Sequence, residues 1–148
     1  MWDNIKSAKL TQILTAAFLV LSVPVAVFAP YILNWYMSVT GKPDTLITPL
    51  LITVYSLYVP AVIALVCLFL LLTNICKGDI FIDRNTLFMR IISWCCGVAG
   101  VISLVSGFYY LPFVLIGVAA LFMMLIVRVV KNTIAQAILI KSENDFTI

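Results

Sequence analysis

The chain has 148 residues, of which 64% are hydrophobic and 10% charged, with a mean hydropathy of +1.19 and a net charge of +3. A water-soluble domain carries ~25% charged residues, so nine Lys/Arg and six Asp/Glu cannot clothe a soluble surface of this size. The composition excludes a soluble globular protein and predicts an integral membrane protein with length for one domain.

Residues 1–9 form a polar start with Lys6 and Lys9. Nothing from Leu10 to Leu33 is charged. At ~1.5 Å per residue this run covers roughly 36 Å, more than a ~30 Å hydrocarbon core. A basic start before an apolar run also describes a signal peptide, with Val27 and Ala29 at cleavage-like spacing. Pro30 would follow the cut and the apolar run is too long, so the segment is expected to remain as a span. Asn34 to Thr48 reads as a polar loop around the turn Gly41-Lys42-Pro43-Asp44, with Trp35 and Tyr36 where an interfacial belt would place them.

The second span is expected over about 49–74, with Pro49 in its first turn. A charge-dense link, 75–86, follows, with Asp83 or Asn85 as the N-cap of the next helix. The third span covers about 87–108, Tyr109-Tyr110-Leu111-Pro112 makes a tight reversal, and the fourth covers about 112–130. In the tail, 131–148, an apolar stripe of Val127, Val130, Ile134 and Ile138 keeps helical spacing. The fourth helix is therefore expected to run past the membrane and then lie on its surface. The expected fold is all-α, a polytopic membrane protein whose single domain, 1–148, is a four-transmembrane-helix bundle made of two hairpins.

Eight basic residues (Lys6, Lys9, Lys77, Arg84, Arg90, Arg128, Lys131 and Lys141) fall on one face of this topology, and only Lys42 falls on the other. The positive-inside rule then places both termini and the link in the cytoplasm, in the cell's inner (plasma) membrane. The positive balance is accounted for by topology and by attraction to anionic membrane lipids, so no direct nucleic-acid binding is expected.

Helices in lipid associate through small residues. Ser93, Gly97, Gly100, Leu104 and Gly107 form one such stripe on the third span. Thr53, Ser56, Pro60, Ala64, Cys67 and Asn74 form another on the second, with Leu71 filling the gap. These stripes are candidates for a close seam within the bundle, or for self-association as a homo-oligomer. Cys67, Cys76, Cys95 and Cys96 lie in or beside spans and read as small polarizable core residues rather than a disulfide framework. With no His in the chain and the adjacent cysteines facing different ways, no metal site is expected. Trp94-Cys95-Cys96-Gly97 contains the CCG triplet of tetraspanins, but theirs lies in a large extracellular loop that this chain lacks.

Apart from Arg90 and Arg128, near enough to the inner boundary to snorkel, the spans hold no Asp, Glu, Lys or Arg. That argues against a proton-driven carrier. No His base, phosphate loop or paired carboxylates within a span are present, so neither an enzyme nor a cofactor is expected. Two asymmetries remain. All six tyrosines fall in the outer half, where the prolines also gather. One reading is a pocket lined by Tyr55, Ser56, Tyr58, Tyr109 and Tyr110 that holds an amphipathic ligand or peptide. The plainer reading is an aromatic belt with ordinary kinks. On the cytoplasmic face, Lys77, Gly78, Asp79, Phe81, Arg84 and Asn85 of the link, with Glu143, Asp145 and Phe146 of the tail, form a candidate docking surface. The plainer reading there is that both segments lie among the headgroups and pair their charges.

The link Gly78 to Leu87, GDIFIDRNTL, and the ending Ser142 to Ile148, SENDFTI, resemble those of the YoaS-like bacterial membrane proteins, a family catalogued as a domain of unknown function. Gly78, Phe81, Asn85 and Leu87 or Phe88 match its link pattern. The resemblance implies an inner-membrane protein often encoded beside a small helix-turn-helix regulator, and it supplies no catalytic residues. The expected function is a signalling or adaptor protein that binds a cytoplasmic partner, such as that DNA-binding regulator, and senses an amphipathic ligand or membrane state. The alternatives are an immunity-type protein capturing an antimicrobial peptide at the outer half, and a small lipid or solute facilitator.

Overall fold

The computed structural model describes residues 4–80 and 82–146, with side chains described over 6–80 and 82–143. The chain folds into α1 (Asn4–Thr40), α2 (Ile47–Cys76), α3 (Asp83–Ser106) and α4 (Pro112–Phe146), with a 3₁₀ turn at Asp44–Leu46. All four helices are long and apolar enough to cross a membrane.

Helix α1 continues through Asn34–Thr40, which the sequence assigns to a loop. Its 37 residues extend ~55 Å. The polar side chains there bond back to their own helix: Asn34 Nδ2 to the Pro30 carbonyl (2.9 Å), Ser38 Oγ to Trp35 (2.7 Å) and Thr40 Oγ1 to Tyr36 (2.7 Å). Residues that satisfy themselves this way need not leave the helix. The helix stops at Gly41, whose φ of +62° is the left-handed conformation that suits glycine after a helix end. Pro30, inside α1, has no N–H and deprives the Ala26 carbonyl of its intrahelical donor. Tyr55 Oη, reaching from α2, donates to that carbonyl at 3.2 Å.

The helices pack in chain order, α1 on α2, α2 on α3 and α3 on α4, with α3–α4 the most extensive contact. Among the described residues the expected bundle takes the form of an open row. The small-residue stripe of α3 meets α4 rather than the stripe of α2. A Cβ placed on Gly117 would lie 3.0 Å from the Gly100 carbonyl oxygen, and one on Gly100 would lie 3.2 Å from that of Gly117. Side chains on both residues would hold the backbones apart. Ser93 Oγ donates to the Met124 carbonyl (3.2 Å) on the same seam.

A different face of α3 takes α2. There Thr53 and Ser106 share a hydrogen bond of 2.9 Å, Asn74 bonds Asn85, and Cys67, Leu71 and Phe88 form a buried apolar cluster. Pro60 is buried and Ala64 half-buried on α2, while Ser56 is exposed. Ser103 of α3 is fully buried, and its hydroxyl has no hydrogen-bond partner among the described residues.

Candidate functional site

The polar side chains gather at the two ends of the row. At the end formed by the start of α1, the α2–α3 link and the last part of α4, the link is built as a fixed corner. Gly78 has φ +90°, its N–H bonds the Ile75 carbonyl, and the Asp79 N–H bonds that of Asn74, each at 3.0 Å. This pair of bonds is the Schellman closure of a helix. Asn85, 1% exposed, then holds the other side of the corner. Its Nδ2 donates to the carbonyls of Asp79 (2.7 Å) and Ile80 (2.9 Å), while its Oδ1 accepts from Asn74 Nδ2 (2.8 Å). The residue before α3, Ile82, makes no side-chain cap bond. Asn85 is therefore a latch across the link, not a cap, because its side chain faces inward where the link's carbonyls lack helical donors.

With the corner fixed, Lys77, Asp79 and Arg84 are exposed. Lys77 and Arg84 line a cleft of about 220 Å³ with Thr73, Asn74 and Phe88, and the Arg84 guanidinium stands 6.0 Å over the Phe88 ring. Gln12 Nε2 of α1 donates to Thr73 Oγ1 beside it (2.9 Å). Among the proposed docking residues, Phe81 lies outside the described residues, as do the side chains of Asp145 and Phe146; Glu143 is exposed at the end of α4. The Ser93–Met124 register brings Asp83, at the start of α3, level with Ile134. The last part of α4, roughly three turns, runs on past α3.

At the opposite end the tyrosines act between helices. Tyr109 Oη meets Thr53 Oγ1 and donates to the Pro49 carbonyl at 3.2 Å, joining the α3 end to α2. Tyr110 and Tyr36 share a hydroxyl–hydroxyl bond of 2.7 Å. Lys42 stacks its ammonium 4.3 Å from the Tyr110 ring and 5.7 Å from that of Tyr36. The bond from Tyr36 holds the Tyr110 hydroxyl more acidic than an ordinary tyrosine, and Lys42 acts in the same direction. This contact ties α1 to the α3–α4 turn. Tyr55 is committed to α1, Tyr58 is half-buried and Ser56 is exposed. Of the five residues considered as a pocket lining, Tyr55, Tyr109 and Tyr110 thus bond at separate places.

The sequence model of the family described as protein of unknown function (DUF2975) matches residues 41–148. The chain belongs to that family. The DUF2975 region begins at Gly41, so it contains α2, α3, α4, the latched corner and the Tyr109 contact, while α1 lies before it. No curated protein and no solved structure matches the chain.

Sequence reasoning missed the part played by five residues. Gly117 is the partner of the α3 stripe, and its signal is a lone glycine in an otherwise bulky helix. Lys42 is the only basic residue on its face of the topology and joins two tyrosines. Arg90, Arg128 and Lys131 served only to orient the chain, although they flank Trp94 across a helix pair.

Proposed function

We propose that this chain is a multi-pass protein of the bacterial inner membrane, of the YoaS-like kind, with its termini and the α2–α3 link in the cytoplasm. It acts there as an adaptor for a soluble partner. The observation that carries the reading is the Asn85 latch. A mere tether needs no buried amide to fix its course, whereas a docking corner must hold Lys77, Asp79 and Arg84 in one arrangement. The fourth helix, extending past α3, supplies a second arm beside that corner. The partner we name is the small helix-turn-helix regulator that such proteins are encoded beside, and the docking involves no catalysis. Peptide capture at the tyrosine end has less to support it, because the hydroxyls of Tyr55, Tyr109 and Tyr110 are already bonded between helices.

Co-purification of the regulator with the full-length protein tests the reading. Reversing the corner charges with Lys77→Glu and Arg84→Glu is expected to lower recovery on the order of tenfold, and deleting residues 142–148 to lower it further. Recovery unchanged by both changes overturns the adaptor role. Orientation is tested separately, in a chain whose four cysteines are replaced by alanine. A cysteine introduced at Lys42 should react with impermeant maleimide outside spheroplasts, and one at Lys77 should not.

A further inference from the structure

The α3–α4 seam carries an arrangement that the adaptor reading does not use. Arg90 on α3 and Arg128 and Lys131 on α4 surround a cleft of about 200 Å³ floored by Ser93 and Trp94. No ion pair among the described residues involves these three cations. The Arg128 guanidinium stands 5.9 Å over the Trp94 ring, which is 57% exposed.

The same tryptophan begins a second depression. A groove of about 330 Å³ runs from Trp94 past Gly97 and Val98 to Val101, walled on the other side by Leu121 and Met124, and it is wholly apolar. Gly97 has no side chain, and the Met124 thioether rests against it where a Cβ would stand. From Trp94 to Val101 the helix rises ~10 Å, enough to seat the upper part of an acyl chain. The cationic cleft and the apolar groove meet end to end at Trp94, a residue type that settles between headgroups and acyl chains.

We infer that the α3–α4 seam binds one anionic phospholipid, its phosphate held by Arg90, Arg128 and Lys131 and an acyl chain lying in the groove from Trp94 to Val101. Two arginines and a lysine converge on the cleft, and guanidinium forks suit phosphate oxygens. Basic pockets between membrane helices on the cytoplasmic side take such headgroups. A zwitterionic lipid would bring its own ammonium into a cleft already holding three cations. A free phosphate would fill the cleft but leave the groove without a role. The inference rests on the membrane insertion proposed above, and not on the adaptor role.

The test titrates full-length protein in a non-ionic detergent with dioleoyl phosphatidylglycerol or dioleoyl phosphatidylcholine, reading bound lipid by native mass spectrometry. Phosphatidylglycerol should bind at least about tenfold more tightly than phosphatidylcholine. Arg90→Gln with Arg128→Gln should weaken it about thirty-fold, given the usual contribution of each basic residue near a headgroup. Lys77→Gln with Arg84→Gln removes equal charge from the other cleft and should change binding by less than about twofold. Val101→Trp, which fills the groove without touching charge, should also weaken binding. Equal binding of the two lipids, or equal losses in both double variants, overturns the site. Displacement of phosphatidylglycerol by millimolar inorganic phosphate also overturns it, marking a free-phosphate site instead. Should the arginine double variant not fold, wild-type protein must melt at a higher temperature with phosphatidylglycerol than with phosphatidylcholine, and Lys131→Gln must reduce that difference; failure of either overturns the site. A chain that stays soluble without detergent removes the insertion reading as well, whereas one that needs detergent and shows no lipid preference removes this inference alone.

Discussion

The hairpins α1–α2 and α3–α4 have the same topology and opposite means of cohesion. Four of the six glycines lie on or at the end of the α3–α4 seam, where Gly100 and Gly117 bring backbone near backbone, and the other two, Gly41 and Gly78, make turns. Helices α1 and α2 contain no glycine and are joined instead by long polar reaches, Gln12 to Thr73 and Tyr55 to Ala26. The difference coincides with the family boundary, since the matched region begins at Gly41. The glycine seam lies within the family's three helices, while α1 packs on α2 without glycine and is tied to it by separate hydrogen bonds. In lipid a seam of small residues depends on the whole length of contact, whereas a polar reach stands or falls with one side chain.

Thermal unfolding in detergent can break this comparison, and the largest effect is expected at the glycine seam. Gly117→Val should cost about 3 kcal/mol, because its branches meet Leu104 and the Gly100 carbonyl with no room to shift. Gly97→Ala should cost less than about 1 kcal/mol, since it meets only the movable thioether of Met124. Equal costs would mean that the seam is not a backbone contact. Next comes the latch: Asn85→Ala strands two link carbonyls and the Asn74 amide, for about 2–3 kcal/mol. Its other readout is faster protease cleavage within 78–82.

Smaller effects are expected on α1. Tyr36→Phe, which removes the bond to Tyr110, should cost about 1 kcal/mol, and combining it with Tyr110→Phe should cost little more than either change alone. Tyr55→Phe should cost about 0.6 kcal/mol. In a Pro30→Ala background it should cost almost nothing, because residue 30 then supplies the N–H that Ala26 lacks. A double-mutant cycle showing no such coupling would detach Tyr55 from the proline. Smallest of all, Ser103→Ala should leave stability unchanged or raise it slightly, since its buried hydroxyl makes no bond among the described residues.

The four long apolar helices are legible because apolar length is a property of composition, and the α3 stripe because small residues recur at helical spacing. Its partner is not. The stripe on α2 suggested a match, but a middle helix has two packed faces, and the sequence does not say which neighbour takes which. Asn34, Ser38 and Thr40 looked like loop residues because a polar side chain in sequence does not reveal whether it bonds to water or to its own helix. Asn85 stands near a helix start, where capping is the common role. Its inward face depends on the Gly78 turn folding the link back onto α2. The role of Tyr55 is not legible from α2 alone, because its partner is a carbonyl freed by a proline on another helix.

Helix α4 runs through 35 residues without a break, and after Gly117 it contains neither glycine nor proline. Bends in helices gather at such residues, so this rod has no joint past its tightest contact with α3. A roll at Gly117 would therefore arrive at residues 140–146 as the same roll. The tail would turn like the far end of a key whose blade is held between two helices.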